Sequence, residues 1–137
     1  MNDDEDPRQI LREARTIAVL GMKGEDAGYA AAHRIPMYLA EHGYRILPVN
    51  PKLVEQGYPG AVARLADLEE VPDVVEVFRR SENIAQHVDE LLDLHPGAVW
   101  LQQGIRDDAA AIRLREAGIQ VVQDRCMYTV HRSLGDN

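Results

Sequence analysis

The order of the apolar runs predicts an α/β fold: a single doubly wound domain of about five parallel strands flanked by helices. Two observations carry this expectation. Short, continuous, β-branched runs recur along the 137 residues, of the kind that suits strands covered on both faces. Amphipathic stretches of helical period separate them, and strands alternating with helices build an open parallel sheet through right-handed crossovers.

Taken in order, Pro7 to Ala14 reads as a short leading helix with Pro7 in its first turn. Thr16 to Leu20 is the first strand. Ala31 to His42 reads as a helix on Ile35 and Leu39, ended by Gly43, with Pro36 expected in the first turn. Arg45 to Val49 is the second strand, where Pro48 is tolerated near an end. From Pro51 to Pro72 the pattern is weak: Gly57, Pro59 and Gly60 break it, and Ala61 to Leu68 would hold one or two helical turns. Asp73 to Phe78 is the third strand. Ser81 is expected to cap a helix running to about Leu94, with Ile84, Val88, Leu91 and Leu92 on one face and His95-Pro96-Gly97 as its stop. Ala98 to Gln102 is the fourth strand. Asp107 or Asp108 starts the next helix, with Ile112, Leu114 and Ala117 before Gly118. Gln120 to Gln123 is the fifth strand and Met127 to Leu134 a last short helix. The expected architecture is a Rossmann-like sheet in the order 3-2-1-4-5, one domain over residues 1–137 with its core at about 14–132.

Composition bounds the function. The hydrophobic fraction is 45% and the charged fraction 28%, ordinary for a globular domain that buries its own core. Fifteen Lys and Arg stand against 23 Asp and Glu, a net charge of −8, which argues against nucleic acid or a membrane surface as partner. A local basic pocket remains compatible with it. The single cysteine, Cys126, excludes an internal disulfide framework and a multi-thiolate zinc site. No apolar run reaches transmembrane length, and the acidic start from Met1 to Arg8 lacks an apolar signal core, so the chain reads as cytoplasmic.

In such sheets ligands bind at the carboxyl ends of the strands, so the residues just after each strand are the ones to read. After the first come Gly21, Met22 and Lys23, then Gly24 and Gly28. Their spacing, G-x2-G-x3-G, is not the dinucleotide fingerprint, and the stretch is either a phosphate-binding turn or simply a flexible one. After the second come Asn50, Pro51 and Lys52. A NAD domain usually places an acid here to grip the ribose; a neutral Asn and a Lys suit a phosphorylated ribose, or plain turn chemistry. His33 and Arg34, early in the following helix, either join an anion site or form a solvated pair. After the third strand Phe78, Arg79 and Arg80 offer a ring and two cations, and after the fourth Gln102, Gln103, Gly104 and Ile105 offer amides and a close backbone approach. His42, His87 and His95 have no metal-ligand spacing, Asp107 and Asp108 read as helix-start residues, and no catalytic or metal residue is assigned.

As an ordered set, these residues resemble a known family. Ile17-Ala18-Val19-Leu20-Gly21, Tyr38-Leu39 with Gly43-Tyr44, Leu47-Pro48-Val49-Asn50-Pro51, Val77-Phe78-Arg79, Val99-Trp100-Leu101-Gln102 with Gly104-Ile105, and Asp124-Arg125-Cys126 look like the small bacterial CoA-binding proteins. Those are single Rossmann-like domains similar to the CoA-binding part of the succinate–CoA ligase alpha subunit. The resemblance runs from about Ala14 to Arg132. It implies that Gly21 to Lys23 meet the phosphates of CoA, and that Pro51 and Lys52 lie by the adenosine with Lys52 near its 3′-phosphate. It further implies that Val77, Phe78 and Arg79 pack on the adenine or pantetheine, and that Gln103 and Gly104 line the same crevice. Family members often carry a Ser soon after Gly21 and a basic residue late in that loop; here Met22 follows directly, and Glu25-Asp26 put two negative charges near the phosphates.

The ligase also carries a phosphohistidine domain and a nucleotide-grasping partner, for which 137 residues leave no room. The expected function is therefore non-catalytic binding of CoA or an acyl-CoA as the small-molecule partner, with a homo-oligomer possible and no protein partner identified. The alternative is an enzyme, either an NADP(H)-dependent oxidoreductase or a thiol enzyme using Cys126. Should the fifth strand end in the same crevice, Asp124-Arg125-Cys126 would stand within reach of the CoA thiol.

Overall fold

The computed structural model describes residues 5–135; the first four residues of the acidic start fall outside them. Five parallel strands, β1 (Thr16–Leu20), β2 (Arg45–Val49), β3 (Val74–Val77), β4 (Ala98–Leu101) and β5 (Gln120–Val122), form one sheet. The helices are α1 (Pro7–Glu13), α2 (Ala31–Glu41), α3 (Pro51–Glu55), α4 (Val88–Leu94), α5 (Asp108–Glu116) and α6 (Met127–Leu134). None of them is long and apolar enough to cross a membrane. The sheet is covered on both faces, which is why its strands read as continuous apolar runs. One face packs with α4 and α5 through Val75, Val77, Leu91 and Leu114. The other packs with α1, α2 and α6 through Val19, Trp100, Leu11, Leu39 and Met127.

The strand order is β2-β1-β3-β4-β5, which corrects the expected 3-2-1-4-5. The third strand lies beside β1, pairing Ile17 with Val74 and Leu20 with Val77. Its expected place outside β2 is taken by a single parallel bridge from Val62 to Val49. The Val62 N–H donates to the Pro48 carbonyl (3.0 Å) and its carbonyl accepts from the Asn50 N–H (2.9 Å). Pro48 therefore turns its carbonyl, and its missing N–H, toward this outer side, where no ladder bond is lost.

Pro36 is inside α2, as its sixth residue, and not in the first turn. A proline there deprives the Ala32 carbonyl of its helical donor. The Lys23 N–H supplies the replacement at 3.1 Å, so the proline ties the loop after β1 to the helix. Ser81 does not cap a continuous helix. Two 3-10 turns, Ser81–Asn83 and Ala85–His87, precede α4, and the Ser81 hydroxyl accepts from the Arg106 N–H instead (2.9 Å). In the weak stretch, α3 was not foreseen, and Leu65–Asp67 makes a single 3-10 turn. Asp107 does cap α5, accepting from the Ala110 N–H at 3.0 Å, but Ile112 points to solvent and not to the core.

Candidate functional site

The carboxyl ends of the strands open into a crevice of about 730 Å³ over β1, β3, β4 and β5. A recess of about 320 Å³ continues it toward β2, and Gly21, Lys23, Phe78 and Arg79 belong to the walls of both. At an inter-strand spacing of about 4.8 Å, the way from β2 to β5 is roughly 19 Å, room for a long ligand lying across the sheet.

Gly21 shapes the middle. Its φ is +88°, and a Cβ there would stand 2.5 Å from the Phe78 carbonyl oxygen, so no larger residue fits without moving β3's exit. Met22 follows with its side chain fully buried in the core beneath, anchoring the loop from below. Lys23 is exposed and lines both compartments. The loop is held from a second side by Asn50, whose amide donates to the Met22 carbonyl (2.8 Å) and accepts from the Lys52 N–H (3.0 Å) as N-cap of α3. Both ends of that amide are spent on the protein, so Asn50 positions the loop.

The start of α2 supplies donors. Ala30, Ala31 and Ala32 line the crevice, and no side chain caps the helix. Free first-turn N–H groups with no side-chain bulk over them make a seat for an anion. Arg34 lines the same wall, its Nε donating to the Tyr29 carbonyl at 2.9 Å, which leaves the rest of the guanidinium to the crevice. Across from it, the Nε of Arg79 is buried and has no hydrogen-bond partner among the described residues. A desolvated guanidinium N–H without an acceptor is costly, and a ligand oxygen would relieve the cost.

Gly104 has φ +88° and its N–H donates to the Asp124 carboxylate (2.6 Å), which fixes the loop of Gln103, Gly104 and Ile105 along the far wall. Asp124 itself sits at φ +54°, and its N–H donates to the Ile105 carbonyl (3.1 Å). At the β5 end the crevice is walled by Cys126 and Tyr128. Burial pushes the Cys126 thiol up, but hydrogen bonds from Thr129, the Gln102 side chain and the Tyr128 N–H outweigh it and hold the thiol below its ordinary value. Under this corner Glu76 is completely buried, and among the described residues neither carboxylate oxygen has a partner. Burial first, and then the sulfur of Cys126, push its carboxyl up to about 8.

Of the residues singled out from sequence, Gly21, Lys23, Arg34, Phe78, Arg79, Gln103, Gly104 and Ile105 line the crevice, and Met22, Asn50 and Lys52 the recess. Three stand outside both. Val77 is buried in the opposite core face. Pro51 is the exposed first residue of α3. The His33 Nδ1 lies 3.1 Å from the Lys23 carbonyl and braces the loop from behind. Glu25 is not in the crevice either: it walls a separate basin of about 750 Å³ with Asp26, Gln56 and Tyr58, which no basic residue lines. Asp26 reaches both that basin and the recess, so one of the two charges remains near Lys52. Arg80 and Gln102, read after their strands, also line the crevice, as does Cys126, expected there if the fifth strand ended in it; the alanines at the start of α2 and Tyr128 were not singled out. The alanines carry no functional side chain, so only the open start of a helix could have pointed to them. Among the described residues, no three His, Cys, Asp or Glu side chains gather to hold a metal.

The parallel sheet, the glycine turn after β1 and the crevice across the strand ends define a Rossmann-like domain. Residues 15–132 match the family described as CoA binding domain, and the chain belongs to that family. It is 33% identical over 124 residues to the uncharacterized protein YneT of Bacillus subtilis (strain 168), covering 90% of each chain. Its fold is similar to the structure of cell-free ID.343 from Thermus thermophilus, with 45% identity, a TM-score of 0.87, and 95% and 99% of the two chains covered. A hypothetical protein from Pyrococcus horikoshii OT3 is also similar, at 30% identity and a TM-score of 0.80 over 96% and 91% of the chains.

Proposed function

We propose that the chain binds CoA or an acyl-CoA across the strand ends and does not turn it over. The diphosphate would meet the open N-terminus of α2 between Lys23, Arg34 and Arg79. The adenosine with its 3′-phosphate would lie toward Lys52 in the recess, and the pantetheine arm would run past Phe78 and Gln103 to Ile105. The observation that carries this reading is the buried, partnerless Nε of Arg79 on the wall common to both compartments. Membership of the CoA binding domain family supports the ligand class.

Binding without turnover rests on chemistry. Thioester cleavage needs a base poised on a nucleophile and spare donors for the oxyanion. Among the described residues no histidine lines either compartment, and the donors around Cys126 converge on its own sulfur.

Calorimetric titration with CoA, acetyl-CoA and NADPH tests the reading. Heat from both CoA species and silence from NADPH is the expected outcome. Removal of a charged hydrogen-bonding group costs about 1.5–3 kcal/mol, so Arg79→Ala should weaken CoA by about tenfold or more with the circular dichroism unchanged. Lys52→Glu should weaken CoA as well. Unchanged affinity in both variants would overturn the proposed pocket.

A further inference from the structure

We propose that Cys126 captures the thiol of the ligand as a mixed disulfide, so that oxidised CoA is taken up covalently at the β5 end of the crevice and released on reduction. This rests on the reading that CoA lies across the strand ends. With the 3′-phosphate at Lys52, beyond β2, the arm runs over β1, β3 and β4 and delivers its sulfur beside β5. Cys126 lines the crevice there, half-buried, as the residue before α6.

Burial raises the Cys126 thiol, but the hydrogen bonds it receives hold it below its ordinary value, which favours attack by the sulfur. Gln102 is nearly buried; its Oε1 accepts from the Met127 N–H (3.2 Å), and its side chain also hydrogen-bonds the thiol. Thr129 bonds the sulfur through its side chain and its backbone, and Tyr128 through its backbone. Such bonds favour the charged form.

Glu76 lies in the packed layer beneath this corner, close enough for the sulfur to act on its carboxyl. In register with Val19 and Trp100, it enters the layer that holds α6. The Trp100 Nε1 in turn donates to the Arg125 carbonyl (2.9 Å), next to Cys126. Among the described residues its carboxyl has no hydrogen-bond partner, an exception among buried polar groups. After burial, the sulfur of Cys126 is what holds the Glu76 carboxyl above its ordinary value. The donors converge on sulfur and, among the described residues, none reaches Glu76, so hydrogen bonding favours the charged form of the sulfur over that of the carboxyl.

The step balances without a further reagent. The Cys126 thiolate attacks one sulfur of the symmetrical CoA disulfide, and a protein–CoA sulfur–sulfur bond forms as the reagent's own bond breaks. The second CoA leaves as a thiolate and takes a proton from water; the cysteine is oxidised and one CoA is reduced. Disulfide exchange is favoured over acyl transfer because the first N–H groups of α6 are committed to Sγ and to Gln102, leaving none there for an oxyanion.

The test is intact-mass kinetics of the reduced protein with CoA disulfide, with glutathione disulfide, and with CoA disulfide in the presence of excess acetyl-CoA, which has no free thiol. Because the chain has one cysteine, any adduct reports Cys126. The expected result is one CoA per chain, less the two thiol hydrogens, reversed by dithiothreitol. It should form about tenfold or more faster than the glutathione adduct and be suppressed by acetyl-CoA. Equal rates for the two disulfides, or no suppression, would overturn directed capture. No CoA adduct alongside calorimetric binding of reduced CoA would overturn the capture and leave the binding reading standing. No adduct and no heat from CoA would overturn both.

Discussion

Glu76 shows how one residue sets a pH response. Its native carboxyl keeps the proton up to about 8, through burial and then the sulfur of Cys126, while the unfolded chain releases it near the ordinary 4.5. The unfolded state therefore sheds its proton first, and stability declines as pH rises from about 4.5 to about 8, then levels off. The shift corresponds to roughly 5 kcal/mol at its upper bound, since relaxation of the layer reduces it. Glu76→Gln, which cannot ionise, should match the wild type in urea unfolding near pH 4.5 and exceed it by several kcal/mol near pH 8. Parallel pH profiles for the two proteins would show that the native carboxylate is already ionised and solvated. Nothing in the sequence announced this group. Glu76 stands in a β-branched run that marks a strand, but whether a strand's glutamate faces water or a closed layer depends on what covers that face. The opposite holds for Gly21, Phe78 and Arg79, which were readable because the end of a parallel strand is a place defined by chain order alone.

At the scale of elements, the crevice depends on contacts between segments that do not touch in sequence. The N-cap of α3 and the loop after β1 share the Asn50 side chain, and the loop and α2 share the Lys23–Ala32 bond that Pro36 makes available. Asn50→Ala removes a cap and a tertiary donor together. A cap is worth about 1 kcal/mol, and the orphaned Met22 carbonyl adds to the loss, so a destabilisation of about 1–3 kcal/mol in denaturant unfolding is expected. The same variant should weaken CoA, since the loop after β1 loses its brace. A loss of stability with CoA affinity unchanged would separate the brace from the site. Pro36 was misplaced from sequence because a proline normally avoids a helix interior, and the compensating donor comes from residue 23, outside any helical window. Ser81 misled for a similar reason: a serine before an apolar periodic run signals a cap, but the Arg106 N–H claims its hydroxyl.

For the molecule as a whole, the five strands and most helix positions followed from periodicity, while the order of the strands did not. The error came from the stretch between Pro51 and Pro72, where one bridged residue, Val62, occupies the flank of β2. A single residue carries no periodicity to detect. The two core layers meet in one sheet, so the chain should unfold cooperatively, and a ligand that binds only the native state should stabilise all of it. CoA at about one hundred times its dissociation constant should raise the unfolding free energy by about 2.7 kcal/mol, read from paired urea curves. A smaller gain at that saturation would mean that the unfolded chain also binds the ligand.

The bridge beyond β2 has a counterpart at the other rim. There the Glu5 carboxylate accepts from the Val121 N–H (2.6 Å), and the Glu5 N–H donates to the Val121 carbonyl (3.4 Å). Each margin of the sheet is thus occupied, one by Val62 and a proline, the other by the approach to α1. Strand-by-strand recruitment of a neighbouring chain, the route by which open sheets grow into fibrils, finds its polar docking groups already taken at these positions. The protein can therefore keep a wide mouth at its strand ends for a ligand without offering its flanks as a template for its own copies.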